Sequence, residues 1–410
     1  MRIWGGLILA LLATLSVAAG KDGTAAPIDV EALLRDAPII DGHDDFPIHY
    51  VTAKPAWSLD AHDFAASLPG QIDLPRLRKG HVGASLLTLG SDLEPDAPGQ
   101  HQRVLVSFDW FDRFTAKYAG ALSQARRADD VAIAERQGKI ALIPALEGGE
   151  QLDATIAHFP ELYRRGLRAL ILIYDGDNAF GAGAKAFQGS MRIVGRSTDG
   201  LTELGAAAVR EMNRLGIIID MSHAAASSVR DALEMSRAPI ILSHSNARAL
   251  CDTERNAPDD VLRAVARNGG IVMATPVPYL TTNAFWRWWD AGEKRYAELV
   301  AASSGNKSAV KQGMDAWDKA NAKPTVTVSD FADQIEYIAR VAGENHVGIG
   351  SDFDGMGEYA IKGLEDASLI PAVFSELARR GWSAQALRKL SRENFLRVWR
   401  EVERVAQEPQ

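Results

Sequence analysis

The stretch "APIIDGHDDFPIHY", residues 37–50, decides how this chain is read. Its apolar start, Pro38-Ile39-Ile40, runs straight into Asp41-Gly42-His43-Asp44-Asp45. An apolar run of this kind suits a buried strand, yet burying carboxylates and an imidazole without partners is costly. The charged exit therefore either opens into solvent as a loop or surrounds a cation. One segment does not decide between these, so the rest of the chain must.

Seven further apolar runs follow: "VGASLLTL" (82–89), "IALIPAL" (140–146), "LRALILI" (167–173), "GIIID" (216–220), "PIILS" (239–243), "GGIVMAT" (269–275) and "HVGIGS" (346–351). They are continuous rather than alternating and rich in Ile, Val and Leu, as strands buried on both faces are. Helical periodicity fills the segments between them, for example 202–215, 225–235 and 258–266. The last opens on Pro258 with Asp259 and Asp260 in its first turn. Eight buried strands, each followed by helical sequence, predict an α/β chain folded as a (β/α)8 TIM-type barrel rather than an open sheet. One connection is out of proportion. Between the seventh and eighth strands lies an insert of residues 283–323, helical in parts and sticky at its start through Phe285, Trp286, Trp288 and Trp289. It reads either as a piece packed on the barrel or on a second subunit, which leaves room for a homodimer, or as a lid over the active site.

The bulk numbers agree with a globular, exported protein. Of 410 residues, 47% are hydrophobic and 24% charged, which permits a large core. A formal net charge of −8 argues against nucleic acid as a partner. Met1-Arg2, an apolar stretch to Val17 and the small residues Val17-Ala18-Ala19 form a secretory signal pattern over residues 1–20, the alternative being an uncleaved anchor. Residues 21–410 then form a single (β/α)8 domain, periplasmic or secreted, with no stable membrane anchor after cleavage. Cys251 is the only cysteine, so no intrachain disulfide forms, and it reads as a small core hydrophobe.

In a barrel of this kind chemistry sits where strands end. The first strand ends in His43 and Asp45, two apart and so on one face, with Asp44 pointing the other way. The third ends in Glu147, the fifth in His223, the sixth in His244 and the eighth in Asp352. Singly, each has a plain explanation: a histidine after a strand is usually a hydrogen-bonded loop residue, and an acid caps a turn or forms an ion pair. Jointly, three histidines and three carboxylates converge on one rim, while the other six histidines sit at no apolar strand exit. Imidazole and carboxylate without thiolate suit zinc or another divalent transition metal. Six ligands exceed what one catalytic zinc takes, so the count fits two ions: His43, Asp45 and Asp352 on one, His223 and His244 on the other, Glu147 on both. Such a pair lowers the pKa of a shared water and yields hydroxide at neutral pH. Asp41 and Asp44 are left as supporting or surface groups.

With these residues in place, "IIDGHDD", "LPRLRKGHVGAS", "ALEGG", "LGIIIDMSH", "APIILSHSNARALC", "RNAPDDVL" and "HVGIGSDFDG" together resemble the membrane dipeptidase (renal dipeptidase) family of the amidohydrolase superfamily, in order over residues 37–402. The resemblance implies a binuclear zinc dipeptidase on a barrel, with His43, Asp45, Glu147, His223, His244 and Asp352 as metal ligands. It also implies that Arg255 anchors the carboxylate of the dipeptide, a role its planar fork suits; the plain alternative is a surface ion pair. Where the family commonly has a substrate-contacting histidine, this chain reads "LILIYDGDNAFG" with Tyr174 at that place, so Tyr174, Asp175 or Asn178 takes the task or it is absent. The long insert and the polar tail "EVERVAQEPQ" also depart from the family's lipid-anchored form.

The expected reaction is hydrolysis of a dipeptide or small amide by the metal-bridging hydroxide. Asp352 takes its proton and passes it to the leaving amine, and Glu147 bridges the ions. Alternatives are another amidohydrolase activity on a lactone, cyclic amide or N-acyl amino acid, and a non-catalytic exported barrel that binds a peptide or metal. The relatives with such other activities use a histidine pair after the first strand and a modified lysine after the fourth; neither is present here.

Overall fold

In the computed structural model, which describes residues 27–90, 99–184, 199–357 and 359–408, the strands are β1 (Ile39–Asp44), β2 (Val82–Leu89), β3 (Leu122–Gln124), β4 (Ile140–Glu147), β5 (Ala169–Ile171), β6 (Ile218–Asp220), β7 (Ile241–Leu242), β8 (Ile271–Ala274) and β9 (Val347–Ile349). Every pairing between them is parallel. The ring runs β1-β2-β4-β5-β6-β7-β8-β9 and closes back on β1, giving the eight-stranded α/β barrel the apolar runs predict. The predicted signal segment, residues 1–20, lies outside the described residues.

The ninth strand, β3, is not in the ring. It pairs with the first half of β4, Leu122 with Ile140 through Gln124 with Leu142, and β5 takes the second half from Ala145 to Glu147. Three residues of which two are polar carry no strand signal, so sequence reading passes over it. The ladders of the fourth and sixth predicted strands are also shorter than their apolar runs, at Ala169–Ile171 and Ile241–Leu242. The flanking apolar residues are buried as loop rather than paired as strand.

The predicted helices form at 203–215, 226–235 and 259–267. Thr202 caps the first of these by accepting from Gly205 N, and Pro258 stands one place outside its helix, at the N-cap. The final helix, Asn394–Ala406, packs where β9 begins: Asn394 Nδ2 donates to Glu344 O at 2.7 Å and to Val347 O at 2.9 Å. Its Phe395, Val398 and Trp399 join Ile40, Ile218, Ile241 and Ile271 in one buried cluster. Apolar mass thus fills the end where strands start, and polar residues are left for the end where they finish. At that finishing end the chains run close: a Cβ on Gly350 would stand 1.8 Å from Ser243 O, so only glycine fits between the exits of β9 and β7.

The insert is a helical hairpin, Asn283–Ala302 and Lys307–Ala320, closed by Gly292 against the Trp317 ring and Gly313 against Leu299. Its aromatic start is packed onto barrel loops. Trp289 stacks on Tyr279 at 4.8 Å, and Phe285 and Trp288 meet Tyr359 edge-on at 5.6 and 6.1 Å. Packing on the barrel is therefore what its first helix does.

Candidate metal centre and active site

The six residues read from strand exits do converge. Glu147 Oε1 lies 3.5 Å from His43 Nε2, 3.2 Å from His223 Nε2 and 3.5 Å from His244 Nε2. His43 Nε2 is also 3.5 Å from Asp45 Oδ1. Three overlapping groups each have donor atoms within 4.8 Å of one another: His43, His244 and Asp352; Glu147, His223 and His244; His43, Asp45 and Glu147. Glu147, His43 and His244 each belong to two of the groups, and Glu147 is the one carboxylate among these three.

Backbone hydrogen bonds hold the exits in place. Asp45 N donates to Phe353 O at 3.1 Å and Asp352 N to His43 O at 3.1 Å, which fastens the exits of β1 and β9 side by side. Asp352 and His223 both adopt left-handed backbone, φ +57° and +68°, a conformation uncommon for non-glycine residues but one that Asp and His enter more readily than most. Gly355 lets the loop after β9 fold over them, because a Cβ there would stand 2.2 Å from Asp45 Oδ2. Asp354 secures that loop from behind: its Oδ1 accepts from Gln71 N at 2.6 Å, and its own N–H donates to Gln71 Oε1 at 2.9 Å.

Supporting groups set the proton positions of two imidazoles. His223 Nδ1 lies 2.5 Å from Asp175 Oδ1; a carboxylate only accepts, so Nδ1 carries a proton and Nε2 is the nitrogen that faces inward. His244 Nδ1 lies 2.8 Å from Ser243 Oγ, and the Ser243 hydroxyl hydrogen-bonds Asp220. This relay directs the His244 Nε2 lone pair into the same space. Burial, then the neighbouring His43, Arg255 and His223, keep His244 uncharged well below the usual imidazole range.

The acids tell the same story with opposite sign. Burial, with Asp45 and Glu147 beside it, pushes Asp352 up to about 7, although His43 pulls the other way. Burial opposes the charge of Glu147 too, but His43 and His223 hold it below the usual carboxylate range. Its Oε1 is buried and accepts no hydrogen bond of ordinary geometry despite three imidazole nitrogens around it. Three imidazoles and three acids aimed at one space fit divalent cations, and, against burial, the acids that raise His43 and His223 hold a positive charge there in the absence of an ion. Donor spacings near 3 Å also suit ions bound at about 2.0–2.2 Å.

Alternatives that the sequence leaves open are narrowed here. Asp41 and Asp44, open between supporting and surface places, are not surface groups: both are buried. Asp41 Oδ1 accepts from His43 N at 3.3 Å and Ser351 N at 2.7 Å, tying β1 to β9. Asp220 Oδ1 does the same between β6 and β7, accepting from Ser222 N at 3.0 Å and Ser243 N at 3.1 Å. Asp44 faces away, as alternation requires, and accepts from Ser85 Oγ at 3.0 Å. Arg255 is not a surface ion pair either. It is 4% exposed, donates from Nη1 to Ser245 Oγ at 2.8 Å, leaves Nε without a partner and lines one cleft with His223. Among the described residues no carboxylate pairs with it.

Of the three residues offered for the missing histidine's task, two are committed elsewhere. Asp175 holds His223. Asn178 donates to Glu150 Oε2 at 2.9 Å and Leu172 O at 3.1 Å, and accepts from Phe180 N at 2.8 Å. Tyr174 remains, stacked on His223 at 4.5 Å, its phenol held protonated by burial and by Glu147 and Asp175. Sequence reading also passes over Tyr279, whose phenol is raised by burial and by nearby Asp352 and Asp175. That places it on the acidic side of the centre, with Trp289 of the insert behind it.

This centre, on this barrel, agrees with the family model for membrane dipeptidases, which matches residues 28–410. The chain belongs to the membrane dipeptidase family, peptidase family M19. Rat (Rattus norvegicus) Dipeptidase 3 is 34% identical over 376 residues, covering 91% of this chain and 67% of that protein. In structure, the chain is similar to the probable dipeptidase PvdM from Pseudomonas aeruginosa, with TM-score 0.77 and 24% identity over 92% of this chain and 98% of the other. It is also similar to a metallo peptidase from Rhodobacter sphaeroides liganded with a phosphinate mimic of the dipeptide L-Ala-D-Ala. The TM-score there is 0.69, with 22% identity over 89% and 99% of the two chains. As a member of this family the chain is a metallo-dipeptidase.

Proposed function

We propose that this enzyme hydrolyses dipeptides at two divalent ions, zinc before other metals, held by His43, Asp45, Glu147, His223, His244 and Asp352. The observation that carries the reading is the buried Glu147 Oε1, which faces three imidazole nitrogens within 3.5 Å and is shared between donor groups. When bound, the ions supply an acidified water as nucleophile and an electrophile for the amide oxygen.

The chain's own residues then divide the remaining work. Arg255 receives the free carboxylate of the substrate on its unpartnered edge, with Ser245 fixing the guanidinium from the other side. Anchoring that end favours short substrates over long peptides. Asp352, beside His43 and His244, is placed to accept a proton through a carboxylate oxygen and return it to the leaving amine. Tyr174 keeps its O–H and is the remaining donor toward the developing oxyanion. The phosphinate mimic in the Rhodobacter sphaeroides relative, a dipeptide analogue, supports the substrate class. We read residues 1–20 as a signal peptide and the enzyme as exported, periplasmic or secreted. No helix among the described residues is long and apolar enough to cross a membrane.

The test is a panel of L,L- and L,D-dipeptides assayed alongside metal analysis of the same preparation. Release of amino acids by protein carrying about two divalent ions per chain is expected. Metal-replete protein inert on the whole panel overturns the reading.

A further inference from the structure

Two histidines that no barrel exit accounts for meet on the flank of the molecule. His101 is the second residue of the helix Gln100–Lys117, which follows β2, and His158 is the N-cap of the helix Phe159–Arg165, which follows β4. Their rings stack at 3.5 Å and 9°. Glu161 Oε2 lies 3.2 Å from His101 Nε2, and Asp153 Oδ2 lies 3.8 Å from His158 Nε2. One donor atom from each of His101, His158 and Glu161 falls within 4.8 Å of the others.

An ion pair with Glu161 leaves this arrangement incomplete. His101 is 3% exposed, and its Nδ1 has no hydrogen-bond partner. Protein groups alone thus leave one nitrogen of a buried imidazole unused, which is unfavourable by the same reckoning that applies to any buried polar atom. Two parallel rings in contact also disfavour protonation of both, because like charges at that distance repel. Burial and the adjacent His101 accordingly lower His158, which keeps an imidazole lone pair available there. The carboxylates stand on the solvent side, with the Glu161 and Asp153 side chains 46% and 36% exposed, so an ion has a way in.

We propose that His101, His158 and Glu161 form an accessory site for a divalent transition ion of the zinc and copper class, with Asp153 within reach as a further donor. Two imidazoles and a carboxylate without thiolate select that class over calcium or magnesium. An ion there ties the segment after β4, which begins at Glu147, to the helix after β2. Its role is to brace the rim rather than to act on substrate.

The site is tested by titrating zinc into the full chain and measuring bound metal after desalting, in wild type, His158→Ala and Glu161→Ala. Wild type is expected to hold one equivalent more than either variant. Zinc should also raise the Tm of wild type further than theirs, since an ion that binds only folded protein stabilises it. Dipeptide turnover should be unchanged in both variants. Equal metal content in the three proteins overturns the proposal, whatever number the central site holds. Because the readout is a difference between proteins, it stands apart from the binuclear reading. His158→Gln, which keeps a polar side chain at the N-cap, repeats the comparison should the alanine variant misfold, with the same two outcomes.

Discussion

The Nε2 atoms of His223 and His244 lie 2.7 Å apart and face one another across the centre. Asp175 fixes the proton of one ring on Nδ1, and the Ser243–Asp220 relay does so for the other. With those protons in place, the two inner nitrogens repel as acceptors unless a positive centre, either a shared proton or the ion proposed for the pair, sits against both. We predict that His244→Ala loses one of the two ions while His43, Asp45 and Asp352 retain the other. Metal content of the purified variant decides it, and a variant with the full wild-type complement shows that the two rings do not share an ion.

Asp175 touches no metal in this arrangement, yet it sets the tautomer and orientation of His223. Asp175→Asn can present an N–H instead of an acceptor and so favours the wrong tautomer. Partners of this kind are worth roughly 10–100-fold in metal affinity or activity. Competition against a chelator should reveal weaker retention of one ion, with the melting temperature little changed. Undiminished retention removes the positioning role.

Arg255→Ala should weaken dipeptide turnover by roughly 2–5 kcal/mol in kcat/KM, as expected for a buried charge deprived of its partner. The diagnostic comparison is a dipeptide whose C-terminus is amidated. If Arg255 reads the carboxylate, wild type should discriminate strongly between acid and amide, and the variant should not. Equal discrimination by both proteins places the anchor elsewhere.

Tyr174→Phe deletes only a hydroxyl while keeping the ring stacked on His223. A lost oxyanion donor costs about 10²–10³ in kcat, and KM should move little. Tyr174→His places an imidazole at the position where the family resemblance leads one to expect it and should recover part of the loss. A phenylalanine variant with wild-type kcat leaves the phenol as packing alone.

Stability toward acid should be set partly far from the centre, at Glu376. Its carboxylate takes paired bonds from Arg379 at 2.6 and 2.8 Å and another from Arg380 at 2.8 Å. Arg379 and then Arg380 lower it to about 2 from an ordinary 4.5. A depressed carboxylate contributes stability that is complete above its unfolded value and lost as pH falls from about 4.5 toward 2. Thermal melts of wild type and Glu376→Gln should therefore differ at pH 7 and converge near the acid limit. A constant difference across that range shows that the ionised pair is not its source.

How much of this was legible follows from distance along the chain. Each of the six central donors stands within a few residues of an apolar run, and the run itself announces a buried strand. His43, Asp45, Glu147, His223, His244 and Asp352 are therefore legible as one rim from sequence alone. Asp175 could not: "YDGDNAFG" offers Asp175, Asp177 and Asn178 close together, and only the fold shows which one reaches His223. From its sequence Asp41 reads only as a supporting or a surface group. Its partner Ser351 is 310 positions away, beyond the reach of any local pattern.

The order of buried strands and the chemistry at their ends came from sequence, because burial on both faces and a polar exit each leave a local mark in residue type. Tertiary structure decided what depends on closing the ring. It paired β3 with β4 outside the barrel and withdrew Arg255 from solvent. It also seated the insert's aromatic start on Tyr279 and brought His101 against His158. These are contacts between segments far apart in the chain, and their geometry exists only once the barrel has brought those segments together.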